Sequence, residues 1–275
     1  MDNKTIKEIQ LLELDLLKKF VALCEEHKLR YYIFAGTFLG AVRNKGFIPW
    51  DDDIDVAMPR EDYERFLQIA PEVLDEHTKL ACFKLQKNVV HYFAKLENMK
   101  VNIVETIANI PRKGHIWIDI FPLDGLPNNK LIRKIHGFHL LVCRALLKLS
   151  LFNESVDCSN TDRPIHEKIL MWIGKRINFS KIFNSDRCMW RVDRNVQKYG
   201  FYDSVDIMNF MGSLKLKSTV NREKVFGNGA IYLFEGLELV GPRSAELYLS
   251  HVYGADYMEL PPEDQRISHA IEVVR

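Results

Sequence analysis

The sequence has few cysteines, and no two of them form a recognisable motif. Its 275 residues include five cysteines that are widely scattered, and there is no CxxC pair. Disulfide frameworks and structural zinc sites need characteristic cysteine spacings, so neither is indicated. We therefore expect a reduced, cytoplasmic protein.

Long hydrophobic runs and a large charge excess are also missing. No apolar run approaches the roughly 20 residues that span a bilayer, and the first residues, MDNKTIKEIQ, do not show the basic and then apolar pattern of a signal peptide. The formal net charge of +1 provides no bulk attraction for nucleic acid. The charge is unevenly spread, because residues 130–200 contain 14 Lys and Arg but only 6 Asp and Glu. We expect no nucleic-acid partner.

The first half of the chain predicts alternating helices and strands. Helical spacing of apolar residues from about 4 to 28 predicts a long amphipathic helix. A strand at 31–35 and a helix at 37–46 closed by Gly46 should follow. A strand at 54–58, ended by Pro59, then leads into another helix.

Four more strands are predicted, and together these elements indicate an α/β or α+β sheet domain. The strands are 80–85, 92–96, 101–106 and 115–125, the last of which is expected to end at Pro122.

The chain is predicted to have three parts. Residues 1–129 form a core domain, residues 130–200 a basic helical insertion or lobe, and residues 201–275 complete the core domain. The stretch 153–164, rich in Asn, Ser and Asp, is the best linker. Residues 130–152 combine basic with large apolar residues, so they fit either a helix on an anionic membrane surface or a buried helix with a basic edge.

The stretch GFIPWDDDIDVAMPR, residues 46–60, concentrates acidic side chains just before an apolar strand. Alternate residues of a strand share a face, which would place Asp51, Asp53 and Asp55 together. Like charges this close raise each other's pKa unless a cation is present. A solvated turn is the alternative, and an EF-hand fails because the sixth position is Val56 rather than glycine.

Asp119 is the second acidic signal, because it lies in the otherwise apolar strand IWIDIF. A carboxylate is costly to bury alone. If this strand neighbours the one at 54–58, Asp119 completes an all-oxygen site that suits Mg²⁺, or Mn²⁺, rather than zinc. Carboxylates at this spacing could hold one such ion or a pair of them.

Three stretches resemble the LicD family of phosphotransferases, which is related to the fukutin-type transferases. They are AGTFLGAVRNKGFIPWDDDIDVAMPREDYERF, IWIDIFPLDG and FEGLELVGPRSAELYLSHVYGADYMELPPEDQRISH. The resemblance implies a nucleotidyltransferase-like α+β fold, a mixed sheet flanked by helices. In that fold Gly36 and Thr37 match the turn after the first strand, Asp53 and Asp55 the acidic strand, and Asp119 the third acid.

The resemblance also implies a reaction. It implies Mg²⁺-dependent transfer of phosphocholine, or a similar alcohol phosphate, from a CDP-alcohol such as CDP-choline to a sugar hydroxyl. The acceptor would be a teichoic-acid, lipopolysaccharide or other cell-surface glycan precursor that is soluble or lipid-linked. Asp53, Asp55 and Asp119 would be catalytic and would hold metal together with Asp51.

Several other residues are candidates for substrate binding, and each has an ordinary structural alternative. Gly36 and Thr37 could offer backbone N–H groups to a phosphate, or merely form a turn. The remaining candidates are Arg43, Lys45 and Lys95 for phosphate, Trp50 and Trp117 for cytosine or choline, and Arg266 and His269 for phosphate or acceptor. Choline binds in aromatic cages, for which Phe47, Trp50, Tyr92 and Trp117 are candidates, with ordinary core packing as the alternative for each.

Two rival functions remain open. Nucleotidyl transfer would use the same carboxylates but release pyrophosphate rather than CMP. A catalytically silent nucleotide-binding protein is the other rival, although it would have no need of three clustered carboxylates.

Overall fold

The computed structural model describes residues 3–87, 89, 91–107, 110–151, 182–266, 268 and 271–274. The helices in these ranges are α1 Asn3–Glu26, α2 Ala35–Asn44, α3 Arg60–Val73, α4 Lys130–Ser150, α5 Ser185–Val196, α6 Arg222–Val225 and α7 Ala245–Tyr253. The strands are β1 Tyr32–Ile33, β2 Asp55–Pro59, β3 Thr78–Ala81, β4 Ala94–Ile107, β5 Ile110–Gly125, β6 Asp206–Met208, β7 Val220–Asn221, β8 Ala230–Phe234, β9 Leu237–Gly241 and β10 Ile271–Val274. The prediction of an α+β fold is confirmed.

A mixed, curled sheet forms the centre of the molecule. Its main path runs β1-β2-β5-β4-β10, with β3 added to β4 and β6 and β7 added beyond β5. Strands β2 and β5 are parallel, whereas the other pairs are antiparallel. The parallel pairing places the start of β2 beside the middle of β5, which decides where the acidic residues meet.

Alternation along β5 separates the core from an open side of the sheet. Ile116, Ile118 and Ile120 are buried, and α1 packs against β4 and β5 with Ile9, Leu17 and other apolar residues of its inner face. Since successive side chains point to opposite faces, Asp119 and Phe121 face the other way.

The boundaries differ from the predictions for identifiable reasons. The predicted first strand shrinks to Tyr32–Ile33, because α2 already begins at Ala35. The prediction that Gly46 closes α2 is wrong: Lys45 adopts the left-handed conformation, with φ of 62°. The strand predicted at 80–85 ends at Ala81, where the backbone turns and Cys82 O accepts from the N–H groups of Leu85 and Gln86.

The central hairpin is longer than predicted. The strands predicted at 92–96 and 101–106 are one strand, β4, which has a register shift against β5 between Asn98 and Asn102. The prediction that Pro122 ends β5 is also wrong. Pro122 pairs with Met58 and the strand continues to Gly125, because β6 pairs with its last residues.

The basic segment is helical where it is described. It contains α4 and α5, while residues 152–181, including the predicted linker at 153–164, lie outside the described residues. Asp193 of α5 lies 2.8 Å from Lys84 Nζ, accepts a hydrogen bond from Tyr92 and contacts Arg60, so α5 is tied to the core. The division into three parts stays a prediction. None of the described helices combines the length and the hydrophobicity needed to cross a bilayer.

Candidate active site

Asp55 and Asp119 come together through strand pairing. They are direct partners in the parallel register of β2 and β5, and the N–H of Asp119 donates to Ile54 O at 2.8 Å. Both residues, together with Asp53, line a cavity of about 420 Å³. Carboxylates that are far apart in the sequence therefore share one cavity.

The turn between β1 and α2 holds Asp55 in place. Thr37 is buried, and its Oγ1 accepts the Asp55 N–H at 2.8 Å. The backbone of Gly36 also hydrogen-bonds Asp55, and this bond opposes the rise in the pKa of its carboxyl group. A Cβ atom at Gly36 would lie 2.8 Å from Asp51 Oδ2, so a larger residue at this position would displace the Asp51 carboxylate. The structure thus gives Gly36 and Thr37 contacts that position the acids.

The acidic groups strongly influence each other. Burial raises the pKa of Asp55 well above its ordinary value, and the charges of Asp53, Asp119 and Asp51 raise it further. Glu13 of α1 is also buried, and its Oε2 has no hydrogen-bond partner among the described residues. Burial, followed by the charges of Asp53, Asp52 and Asp51, raises the pKa of Glu13 as well.

The ammonium group of Lys95 borders this acidic group. Lys95 Nζ lies 3.8 Å from Asp119 Oδ1, since Lys95 and Asp119 are partners in the β4–β5 register. The same ammonium group sits 3.5 Å from the ring centroid of Trp117. Lys95 and Trp117 therefore form a support beside Asp119 and are not part of the cavity lining.

Carboxylate oxygens such as those of Asp53, Asp55 and Asp119 are ligands that suit Mg²⁺. In this structure, however, they do not converge into a ready-made coordination site. Within the described residues, no three Asp, Glu, His or Cys side chains are arranged to coordinate a metal ion. Mg²⁺ usually keeps several waters and binds through one or two carboxylates plus substrate phosphates, so it does not need such a cage. A divalent cation would also remove the mutual repulsion that raises the pKa of Asp55.

The other predicted substrate residues lie farther from the cavity. Arg43 donates to the backbone oxygens of Tyr257 and Glu259, at 3.4 and 3.2 Å, and thereby ties α2 to the C-terminal part. Lys45 is exposed at the end of α2. The guanidinium of Arg266 lies 5.1 Å from the ring centroid of Trp50. His269 is outside the described residues.

Sequence reasoning missed much of the cavity wall. Five aromatic side chains, Phe34, Phe93, Phe121, Phe226 and Tyr248, line it together with residues of the loop 209–214 and His251. Phe121 could have been found, because it shares a strand face with Asp119, and Phe93 likewise alternates with Lys95. No local pattern marks Tyr248 or the loop, which reach the cavity only through tertiary packing.

Comparison with known proteins settles the family. Residues 28–135 match the family described as "LicD/FKTN/FKRP, nucleotidyltransferase domain". The lipopolysaccharide cholinephosphotransferase LicD of Haemophilus influenzae is 30% identical over 274 residues, which are 99% of this chain and 98% of that protein. The chain belongs to the LicD family. The predicted family is therefore confirmed, and with it the prediction of an enzyme of the LicD type.

Another relative matches a smaller part of the chain. An uncharacterised protein of Rickettsia typhi is 31% identical over 116 residues, which are 42% of this chain and 35% of that protein. Its similarity adds no information about activity, whereas the LicD similarity extends over the whole length of the chain.

Proposed function

We propose that this LicD-family protein transfers phosphocholine from CDP-choline to a hydroxyl group of a cell-surface glycan. The observation that carries the proposal is the similarity to the cholinephosphotransferase of H. influenzae, which spans 99% of the chain. The cavity supports the same chemistry, because Asp53, Asp55 and Asp119 line it together. Mg²⁺ is the proposed cofactor, held by these three residues with Asp51 close to them.

The proposed reaction is a single displacement at phosphorus. The oxygen of the acceptor hydroxyl bonds to the phosphorus that carries choline, the bond from that phosphorus to the bridging oxygen breaks, and CMP leaves. Bound Mg²⁺ would neutralise the charge that develops on the diphosphate oxygens. Asp119 would accept the hydroxyl proton, while Lys95, 3.8 Å away, restrains its carboxylate.

Product analysis tests the proposal and separates it from nucleotidyl transfer. The protein is incubated with Mg²⁺, a panel of glycan acceptors and either CDP-choline labelled in the choline or CTP. We expect CMP release and label in the glycan from CDP-choline, with both lost in Asp55→Asn. Pyrophosphate release from CTP without reaction of CDP-choline would support the rival, and binding of both without turnover would support a silent nucleotide-binding protein.

The donor specificity needs its own comparison. Thermal unfolding is measured with Mg²⁺ and CDP-choline, CDP-ribitol, CDP-glycerol or nucleoside triphosphates, since a ligand that binds the native state raises its melting temperature. The proposal expects the largest shift with CDP-choline. A larger shift with CDP-glycerol or CDP-ribitol would assign a different alcohol phosphate.

Helix α4 supports a lipid-linked rather than a dissolved acceptor. Leu131, Ile135 and Phe138 are 67%, 63% and 70% exposed and follow each other along one side of the helix. The sequence of α4 contains no Asp or Glu, while Lys130, Lys134 and Lys148 are exposed. An apolar stripe bordered by positive charge complements an anionic bilayer surface.

Vesicle flotation tests the contact of α4 with the membrane. We expect the protein to float with vesicles that contain phosphatidylglycerol, to float less with pure phosphatidylcholine, and to lose flotation in the Ile135→Ser/Phe138→Ser variant. Val73→Ser, at an exposed apolar residue of α3, is the control that should still float. Absence of flotation with either vesicle, or a dimer in light scattering that the double variant dissociates, would contradict the membrane proposal.

A further inference from the structure

The cavity beside the carboxylates has an aromatic wall that the transfer chemistry does not use. The ring centroids of Phe93 and Phe121 are 4.4 Å apart, those of Phe34 and Phe121 6.0 Å, and those of Phe34 and Tyr248 5.4 Å. All four rings line the cavity. They form a connected aromatic wall, which we define as Phe34, Phe93, Phe121 and Tyr248.

The same strands that position the acids also position this wall. Phe121 follows Asp119 by two residues on one face of β5, and Phe93 lies next to β4, two residues before Lys95. The N–H of Phe34 donates to Asp55 O at 3.0 Å, so its ring is anchored beside β2. The hydroxyl of Tyr248 accepts the N–H of Ala35 at 3.2 Å. The aromatic wall is thus held at a fixed position relative to Asp55 and Asp119.

Several polar groups on the other side of the cavity form hydrogen bonds within the protein. Asn209 Oδ1 accepts a hydrogen bond from the Gly212 N–H at 3.1 Å. Ser218 Oγ donates to Asn209 O and accepts from the Asn209 N–H. The His251 ring is 2.6 Å from Lys217 O. A ligand group that lies against the aromatic wall therefore meets mainly aromatic faces.

These surroundings suit one kind of cation. A quaternary ammonium group has no N–H to donate and is attracted to the faces of aromatic rings. A primary ammonium or a polyol would lose hydrogen bonds to water on entering such a wall without recovering them. The aromatic wall therefore selects for methylated nitrogen.

We propose that Phe34, Phe93, Phe121 and Tyr248 form the subsite for the trimethylammonium group of the donor. This inference rests on the proposed function, since it names the part of the site that recognises choline. It replaces the predicted cage of Phe47, Trp50, Tyr92 and Trp117. Those residues lie elsewhere: Phe47 packs on Phe234, Trp50 faces Arg266, Tyr92 bonds Asp193 and Trp117 supports Lys95.

The test measures binding of three probes to matched variants by calorimetry with Mg²⁺. The probes are CDP-choline, CDP-ethanolamine and CMP, and the variants are Phe93→Leu and Phe121→Leu, which keep an apolar side chain but lose the aromatic face. A cation–π contact in a desolvated site is worth enough for about a tenfold loss of affinity. We expect that loss for CDP-choline, a smaller loss for CDP-ethanolamine, and CMP affinity within about twofold of wild type.

Two further variants guard against a general loss of structure. Phe93→Tyr keeps the aromatic face and should retain CDP-choline affinity. Phe47→Leu removes an aromatic ring outside the cavity and should change no probe. The unfolding temperature of every variant is measured as well, so that a misfolded variant is recognised. The decisive comparison is then the CDP-choline affinity of Phe93→Leu with that of Phe93→Tyr.

The outcomes separate this inference from the proposed function. If wild type prefers CDP-choline and both leucine variants keep that preference, the aromatic wall is not the subsite although the proposed function stands. If wild type does not prefer CDP-choline over CDP-ethanolamine, the subsite is likewise refuted. If wild type binds no cytidine probe, both the proposed donor and the proposed subsite are refuted.

Discussion

Asp55 and Asp119 are direct neighbours in parallel strands, although 63 positions separate them in the sequence. Asp53 precedes Asp55 by two residues and lines the same cavity. The proposed catalytic centre is thus a property of the β2–β5 pairing, and its function can be tested by substitutions that leave the pairing intact.

Neutralising either paired carboxylate should abolish activity without harming the fold. We expect Asp55→Asn and Asp119→Asn each to lower the transfer rate by more than about 100-fold, because the charge that would hold the cation is lost. Their melting temperatures should equal or exceed that of wild type, since repulsion among the acids decreases. Asp15→Asn, at an exposed position of α1, is the control, and a variant at 55 or 119 with near-normal rate would refute the assignment.

Thr37 should act through the position of Asp55. Thr37→Val keeps the shape but removes the acceptor for the Asp55 N–H, and an unsatisfied buried donor destabilises by about 1–3 kcal/mol. We expect a lower free energy of unfolding and a lower transfer rate. Thr37→Ser keeps the hydroxyl and should retain most of the rate, so equal rates for the serine and valine variants would show that this hydrogen bond does not matter.

The buried ion pairs around Arg60 should stabilise the fold rather than the reaction. Arg60 Nε and Nη2 contact the two oxygens of Asp124 at 2.6 and 2.9 Å, and Nη1 contacts Asp193 of α5. Arg60→Met would leave two buried carboxylates without this partner, which costs about 3–5 kcal/mol. Urea unfolding should show this loss, whereas Arg65→Met, at a largely exposed arginine 3.7 Å from Asp62, should change stability by less than about 1 kcal/mol.

Glu13 should make stability depend on pH. Because its pKa is raised in the folded state, the folded protein binds this proton more tightly than the unfolded chain does. Its contribution is fully present below the unfolded pKa of about 4.3 and is lost as pH rises through the folded pKa.

Glu13→Gln removes this dependence. We expect the variant to melt a few degrees above wild type near pH 8, with the difference shrinking towards pH 4; about 1 kcal/mol corresponds to roughly 2–4 °C in a chain of this size. Glu25→Gln, at an exposed residue of α1, is the matched control. A difference between Glu13→Gln and wild type that is the same at both pH values would contradict this reading.

The sequence predicted the structure best where a single residue pattern determines a single helix or strand. Helical periodicity located α1 almost to its ends, and the isolated acid in IWIDIF indicated that Asp119 belongs to a polar site rather than the core. The exact ends of elements were harder to predict. Lys45 rather than Gly46 takes the left-handed conformation, and Gly46 instead lies where a Cβ atom would meet the side chain of Glu235 in the β8–β9 turn.

The aromatic wall could be predicted only in part. Strand alternation places Phe121 on the same face as Asp119. The contact of Phe121 with Phe93 depends on the β4–β5 register, and its contact with Phe34 depends on how the chain enters α2. Tyr248 reaches the cavity because α7 packs against α2, a contact between segments about 200 residues apart. No periodicity in a single sequence encodes such a contact.

Direct measurement of cation binding tests the central claim of a shared carboxylate site. Mn²⁺ is titrated into the protein in the presence of CDP-choline, and the free ion is followed by electron paramagnetic resonance. The account predicts that wild type and Asp15→Asn bind Mn²⁺ alike, whereas Asp55→Asn and Asp119→Asn bind it at least about tenfold more weakly. Equal Mn²⁺ affinity in all four proteins would contradict the account.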